Sequence, residues 1–156
     1  MDTDDLHFSR NSVLNEQIAK EIFDVLPDDG PVVVIIGRDE GRWFSDSAKF
    51  SNLDISESFL KEVCAKIDDG AEPVITQIND IGVVAAQLAV EETHCGYVVM
   101  ALPQYNIEST MINFGLIEMV LNQIGLIAGL IEKNEQAGEL KMKQLSMYSQ
   151  FDMASS

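Results

Sequence analysis

The longest hydrophobic pattern lies in the last third of the chain and predicts one unbroken helix from Ile107 to Asn134. Steps of four and three place one apolar row along it: Ile117, Leu121, Ile124, Ala128 and Ile131. A second row lies on an adjacent face: Leu116, Val120, Ile127 and Leu130. Such a helix can cover a sheet with one row and a partner helix with the other. The sequence does not decide which row does which.

A shorter amphipathic pattern near the start predicts a helix over residues 11–26, capped by Asn11 or Ser12. Its apolar positions recur in steps of four: Leu14, Ile18, Ile22 and Leu26. Pro27 and the Asp-Asp-Gly that follows end it. A third helix is expected from about Glu57 to Ile67, capped by Asp54 or Ser56.

Runs of β-branched and apolar residues between turn formers predict five strands. They cover residues 31–37, 42–46, 73–79, 81–90 and 95–102. The first two form a hairpin through the turn at 38–41, and the last two form a hairpin around the four-residue connection 91–94. No pattern covers Ser47 to Asp54, which is predicted to be a loop beside the sheet.

The composition fits one acidic soluble domain with terminal extensions. The chain has 156 residues and a formal charge of −16, which repels nucleic acid and anionic membranes. Glu118, Asn122 and Gln123 interrupt the apolar stretch before it reaches the roughly 20 residues of a membrane span. Two cysteines without a CxxC motif and an N-terminus without a leader pattern predict a reducing, cytoplasmic location. We expect neither a nucleic-acid nor a membrane partner.

The predicted order is helix, two strands, helix, three strands and a long helix. This order defines an α+β fold: a central antiparallel sheet of about five strands with the N- and C-terminal helices on one face. The strand VVVIIG at 32–37, the hairpin at 83–102 and the helix LNQIGLIAGLIEKNEQ at 121–136 resemble the GAF domain, a small-molecule-sensing module of signalling proteins related in architecture to PAS. The expected division is a flexible tail at 1–10, a GAF-like domain at 11–136 and a connector at 137–156.

The resemblance does not extend to the family's sharper motifs. The signature of members that bind cyclic nucleotides is absent from 46–54 and 77–80. Members that attach a bilin use a Cys followed by a His, whereas this chain has His94 before Cys95. Glu91 and Glu92 beside His94 are typical of a solvated turn rather than a metal site. We therefore predict no cofactor, no metal and no catalytic residue.

A candidate ligand site lies in and around the predicted loop. Its residues could supply aromatic walls and a cation for an anionic group: Arg42, Phe44 and Phe50, with Gln77 and Asn79 at the end of the third strand. The alternative is that Trp43 or Phe44 alternates into the core and Arg42 faces water.

The resemblance implies a non-catalytic regulatory module that homodimerises and controls an attached output domain, with an unidentified small molecule as ligand. A second apolar row needs a partner, so the dimer-interface candidates come from both terminal helices: Leu14, Ile18, Ile22, Leu116, Val120, Ile127 and Leu130. Two alternatives stay open at this point. One is a cytosolic thiol redox enzyme using Cys95 and His94, and the other is a purely structural dimerisation domain.

Overall fold

A computed structural model describes residues 16–26, 30–39, 41–90 and 93–131 of the chain. The helices are α1 (Glu16–Asp24), α2 (Ser47–Asn52), α3 (Glu57–Asp68), α4 (Ile107–Ile112) and α5, described over Phe114–Ile131. The strands are β1 (Val32–Gly37), β2 (Arg42–Phe44), β3 (Val74–Ile78), β4 (Ile81–Val90) and β5 (Thr93–Leu102).

The five strands form one antiparallel sheet in the order β2-β1-β5-β4-β3. The long strands β4 and β5 pair over most of their length, and β1 pairs with β5 from Val32↔Ala101 to Gly37↔Gly96. β1 is buried at all six positions because it lies inside the sheet with helices over both faces. The predicted α+β fold and its five-stranded antiparallel sheet are confirmed.

The two terminal helices lie on the same face of the sheet, which we call the terminal-helix face. α1 buries Ile18 and Ile22 there, and α5 buries Ile117, Ile124 and Ala128. Leu121 and Ile131, from the same predicted row, are partly buried against this core. The first row of the long helix therefore packs on the sheet, which answers the question that the pattern left open.

The two middle helices cover the opposite face, which we call the middle-helix face. α3 contributes Leu60, Val63 and Ile67 to its core. The sheet contributes alternate residues of β1, β3, β4 and β5: Val34, Ile36, Val74, Val83, Ala85 and Val99. The predicted cap is present, since the Ser56 hydroxyl accepts a hydrogen bond from the Phe59 N–H at 3.1 Å. The fold is a sheet between two helical layers.

The segment predicted as a loop at 47–54 contains helix α2, so that prediction was wrong over Ser47–Asn52. Asp46 caps this helix, and its carboxylate accepts from the Lys49 N–H at 2.9 Å. Six residues with one large apolar side chain, Phe50, show too little periodicity to be recognised. The helix forms because Phe50 packs onto the sheet.

The predicted unbroken helix from Ile107 is two helices that meet at Asn113. Asn106 caps α4, and its side-chain oxygen accepts from the Ser109 N–H at 2.8 Å. The Asn113 side-chain amide donates to the Ser109 carbonyl at 2.8 Å, so a side chain competes for a helical backbone acceptor at the break. Apolar spacing continues through this point and therefore does not reveal the break.

The connection between β4 and β5 is shorter than predicted. Thr93 and His94 belong to β5, where they pair with Val90 and Ala89. The register shifts between Leu88 and Ala89, and Cys95 is the extra residue of this bulge because Leu88 pairs with Gly96. β3 and β4 also form a hairpin, whose two turn residues Asn79 and Asp80 have positive φ angles.

Several predictions lie outside the described residues. They are the tail at 1–10, the cap at Asn11 or Ser12, the interface candidate Leu14, the helix end at Asn134 and the connector at 137–156. The division into tail, domain and connector stays a prediction.

Candidate functional site

The candidate ligand site lies at the β2 edge of the middle-helix face. Arg42 forms an ion pair with Glu57 at the start of α3. Phe44 and Phe50 pack against each other, with ring centroids 4.8 Å apart at 44°. The structure therefore brings together the cation and both aromatic rings. In this arrangement, Arg42 is paired with Glu57, and the two rings pack against each other and against the core of the middle-helix face.

The two polar candidates come from the opposite edge of the sheet. The Asn79 side-chain amide donates to the carbonyls of Leu53 and Asp54, at 3.1 and 3.3 Å. Asn79 thereby fastens the β3–β4 turn to the loop that joins α2 and α3. Gln77 is exposed on the edge strand β3. Asn79 therefore has a structural role, and Gln77 lies on the surface.

The alternative prediction for β2, in which an aromatic side chain enters the core and Arg42 faces water, is correct for the aromatic residues only. Trp43 packs against the core of the terminal-helix face, and Phe44 packs against the core of the middle-helix face. Both aromatic residues thus enter a core, on opposite faces, as alternation along a strand requires. Arg42 has a side chain only 20% exposed and is held by Glu57. An anionic ligand would have to displace this carboxylate.

A second polar cluster joins the end of α3 to the start of β5. The Tyr97 hydroxyl donates to the Asp68 carboxylate at 2.7 Å. His94 contacts the Tyr97 ring edge-on at a centroid distance of 5.0 Å, and its Nε2 lies 3.7 Å from Asp68 Oδ1. Burial, assisted by the nearby Arg38 cation, lowers the pKa of His94. The imidazole is therefore biased toward its neutral form.

The His94–Cys95 pair of the redox hypothesis is not assembled. Cys95 is buried in the core of the terminal-helix face. His94 contacts the ring of Tyr97 edge-on, and Tyr97 packs against the core of the opposite face. The two side chains therefore lie on opposite faces, and the sheet separates the thiol from the imidazole. A base on the other face of a sheet cannot activate this thiol by direct contact.

The other cysteine, Cys64 on α3, is expected to react slowly with alkylating reagents. Burial raises the pKa of its thiol from 9.0 to about 11, against the opposing effect of Arg42. Only the thiolate reacts, so two units of pKa reduce the reactive fraction by about 100-fold at neutral pH. Peptide mass spectrometry after timed iodoacetamide treatment would measure the rate. Modification of Cys64 as fast as a free cysteine would contradict this assignment.

Folding stability is expected to fall in alkaline solution. Burial raises the pKa of Cys64 to about 11, and burial with the Asp68 hydrogen bond raises that of Tyr97 to about 12. Both groups keep their protons in the folded state where the unfolded chain releases them. Their contribution is complete below the unfolded values of 9.0 and 10.0 and is lost as the pH rises through 11 and 12.

Thermal unfolding followed from pH 7 to pH 12 would measure this loss. In a plot of melting temperature against pH, Tyr97→Phe should reduce the decline above pH 10. Cys64→Ser should reduce the decline that begins near pH 9. Identical curves for both variants and the unmodified protein would show that other groups control alkaline unfolding.

The residues predicted to form the dimer interface differ in how deeply their side chains are buried. Ile18 and Ile22 are completely buried against the protein's own sheet and offer no surface to a partner. Val120 and Ile127 are partly buried against the same core. Leu116 and Leu130 are exposed. A dimer formed by the terminal helices would therefore use the outer face of α5 and not the inner face of α1.

That outer face carries a narrow row of residues, which we call the outer seam: Leu116, Met119, Gln123, Leu126 and Leu130. Its four apolar side chains are 66%, 58%, 67% and 61% exposed, in chain order. Apolar grooves flank the helix on both sides. One, of about 550 Å³, lies between α5 and β4 and includes Leu88, Gly125 and Leu126. Another lies against Val25 and Leu26, directly after α1.

Helix α5 is also the one described helix that is long and apolar enough to cross a membrane. Over Phe114–Ile131 its mean hydropathy is 1.8. This resemblance to a membrane span concerns length and composition only, and the core helix of a domain can have both. In this structure its inner row, including Ile117, Ile124 and Ala128, packs on the sheet.

Comparisons with known proteins add little beyond this geometry. No protein-family model matches the chain, and no curated protein matches it. Among solved structures, the chain is similar to a GAF3 domain from Synechocystis sp. PCC6803, described in its photoproduct state. That match has 12% identity and a TM-score of 0.45, over 77% of this chain and 94% of the other. A match at this level carries no argument about function, and the five-stranded sheet with its helices defines the α+β fold.

Proposed function

We propose that the chain is a non-catalytic sensory and regulatory module of the GAF type. In this proposal it homodimerises through its terminal helices and controls an attached output domain. The observation that carries the dimer is the exposed apolar surface of α4 and α5. Among described residues, seven large apolar side chains are exposed, and six of them lie in α4 and α5. Apolar patches of this kind mark interaction surfaces.

The seventh, Val25, directly follows α1 and lines the groove beside α5. The exposed apolar residues are thus concentrated on one side of the domain. The sensory part of the proposal comes from the GAF resemblance of the sequence. Its ligand would bind at the Arg42, Phe44 and Phe50 cluster, where binding must displace Glu57 from Arg42. Such a ligand would shift the module between two states only by binding them differently.

Analytical ultracentrifugation of the unmodified chain tests the dimer. We expect a dimer at micromolar concentration, and a strict monomer at that concentration would refute this part of the proposal. Native mass spectrometry of the purified protein would reveal a bound small molecule. A Glu57→Gln variant should bind an anionic ligand more tightly than the unmodified chain, because it leaves Arg42 without its carboxylate.

A structural dimerisation domain without a ligand is the second candidate. The packing of Phe44 on Phe50 favours it, because the aromatic rings fill the space that a ligand would need. Native masses free of any adduct, together with an unchanged melting temperature across a small-molecule library, would support this candidate over the first.

A further inference from the structure

We propose that the far end of strand β4 binds an extended, basic peptide segment of a partner protein. The peptide adds to the sheet as a sixth strand and places apolar side chains in the groove between β4 and α5. This inference goes beyond the proposed function, because it names a protein partner for an edge of the sheet that a dimer of the terminal helices does not use.

The first argument is that β4 is longer than the strand that covers its outer edge. β3 pairs with β4 only as far as Val74↔Ala85, whereas β5 pairs with β4 on the other side as far as Val90↔Thr93. In the part of the chain that the structure describes, no strand pairs with β4 on the β3 side after Ala85. The backbone at such an edge is a template for another extended chain.

The backbone of Gln87 shows which groups an added strand would meet. Its N–H points to the β3 side, where it donates to the Glu72 carboxylate at 3.0 Å. Alternation along a strand directs the N–H and C=O of Ala89 to the same side. Gln87 and Ala89 are therefore the two positions at which a peptide would exchange backbone hydrogen bonds with the sheet.

Glu72 is a competitor for this edge. Its carboxylate takes the place that a peptide carbonyl has in a β-ladder, so an incoming strand must displace it. Glu72 is exposed, and its carboxylate returns to water when it is displaced. A strand that offers backbone groups alone gains little from this exchange, whereas one that also fills the groove gains the burial of apolar surface. The carboxylate thereby restricts binding to peptides that fit the groove.

The second argument is the groove that accompanies this edge on the terminal-helix face. It has a volume of about 550 Å³ and lies between residues 86–89 and α5. Leu88 and Leu121 line it with apolar surface, and Gly125 and Gly129 line it without side chains of their own. Side chains of an added strand alternate between the two faces of the sheet, so every second one enters the groove. Main-chain hydrogen bonds combined with pockets for alternate side chains define recognition by strand addition.

The third argument is charge, which selects a basic peptide. The chain has a formal charge of −16 and therefore attracts cationic segments. The segment 68–73, which leads into β3, contains Asp68, Asp69 and Glu72 and no Lys or Arg. The groove, in contrast, has no charged residue among its described lining residues. Basic residues at the ends of a peptide would approach acidic surface, while apolar residues in its middle would meet an uncharged groove.

A peptide series tests the inference on the full chain. The probes are capped peptides of the pattern Lys-Xaa-Thr-Xaa-Thr-Lys, in which each Xaa is Val, Ile, Leu or Phe. The matched controls carry Glu in place of both Lys residues. We expect at least one basic peptide to bind with a Kd of about 1 mM or tighter, and its acidic counterpart to bind at least about tenfold more weakly. Absence of binding by the whole basic series would overturn the inference.

Amide hydrogen exchange distinguishes strand addition from other modes of binding. Peptide at about ten times its Kd should slow exchange of the Ala89 amide about tenfold, because this amide is then bonded in most molecules. N-methylation of the peptide at alternate residues should abolish binding in one frame, where the amides face β4, and preserve it in the other. Equal binding of the two methylated forms would overturn the inference.

Two glycine variants on α5 test the groove. Gly125→Leu fills it from the helix side and should weaken peptide binding at least about tenfold. Gly115→Leu is the matched control, because a Cβ added at either glycine would meet nothing within 4 Å and Gly115 does not line the groove. Equal peptide affinities of the two variants would overturn the inference.

Glu72→Ala tests the competitor and leaves the groove unchanged. It should tighten binding of the basic peptide at least about threefold, because the peptide no longer has to displace a charge-assisted hydrogen bond. An exposed ion pair between Glu72 and a peptide Lys contributes less than that bond. An unchanged or weaker affinity would place the peptide elsewhere and overturn the inference.

The same exchange measurement identifies other occupants of this edge. Slow exchange of the Ala89 amide in a dilute solution without peptide would show that the chain covers its own edge. Protection that rises with protein concentration would show that a second copy pairs with it. Either result would overturn the assignment of this edge to a partner peptide.

Discussion

Gly82→Ala is expected to destabilise the domain by about 3 kcal/mol and to lower its melting temperature by about 10 °C. A Cβ added at Gly82 would lie 1.8 Å from Thr110 Oγ1 and 3.0 Å from the Asn106 carbonyl oxygen. Thr110 cannot move away easily, because it is fully buried and its hydroxyl donates to that carbonyl at 2.7 Å. The Gly82 N–H also donates to the Tyr105 carbonyl at 2.7 Å, which fixes the strand beneath α4.

Chemical denaturation of matched variants would measure the effect. Gly125→Ala is the control, since its added Cβ meets nothing within 4 Å and alanine favours a helix by about 1 kcal/mol over glycine. It should be neutral or stabilising. Adding Thr110→Ala to Gly82→Ala should recover at least about 1 kcal/mol relative to the sum of the single changes. Strict additivity would show that the contact with Thr110 does not cause the loss.

Leu126→Glu is expected to dissociate the proposed dimer while the domain stays folded. The side chain is 67% exposed in one copy and would be covered twice in a symmetric dimer. Losing two buried leucines at about 2 kcal/mol each weakens association by about 1,000-fold, before any repulsion between the two carboxylates. Sedimentation velocity over a concentration series would measure the dissociation constant.

Two variants on the same helix serve as controls for this result. Glu118→Gln lies off the outer seam and should leave the dissociation constant unchanged. Ile124→Glu places a charge at a position that is 1% exposed, so it should unfold the domain itself. A Leu126→Glu protein that dimerises normally would remove α5 from the interface. One that loses its cooperative unfolding would show that Leu126 supports the fold.

Most of the architecture could be predicted because long elements carry repeated patterns. β1, β4 and β5 are apolar runs bounded by turn residues, and α3 has both periodicity and a capping serine. The two features that the hydrophobic pattern did not predict depend on tertiary contacts or hydrogen bonds of single side chains. α2 forms through the packing of Phe50, and the break at Asn113 coincides with a side-chain hydrogen bond to Ser109. Neither changes the local apolar spacing.

The candidate site was harder to predict than the fold. Aromatic and basic residues near β2 could be identified, and the structure does bring Arg42, Phe44 and Phe50 to one edge. Their partners could not be identified, because Arg42 pairs with Glu57, one of 26 acidic residues in the chain. For the long helix, the two apolar rows were visible from the sequence, but only the packing shows that Ile117 and Ile124 face the sheet.

The strand order also limits how this protein can aggregate. The three-residue β2 and five-residue β3 lie at the sheet's two edges, and short edge strands give an incoming chain little to pair with. β4 extends beyond β3 after Ala85, yet the Gln87 N–H on that side is already bonded to the Glu72 carboxylate at 3.0 Å. Fibril growth by strand addition is thereby discouraged at both edges. A Glu72→Ala change would remove this contact and leave the Gln87 N–H open to an incoming strand.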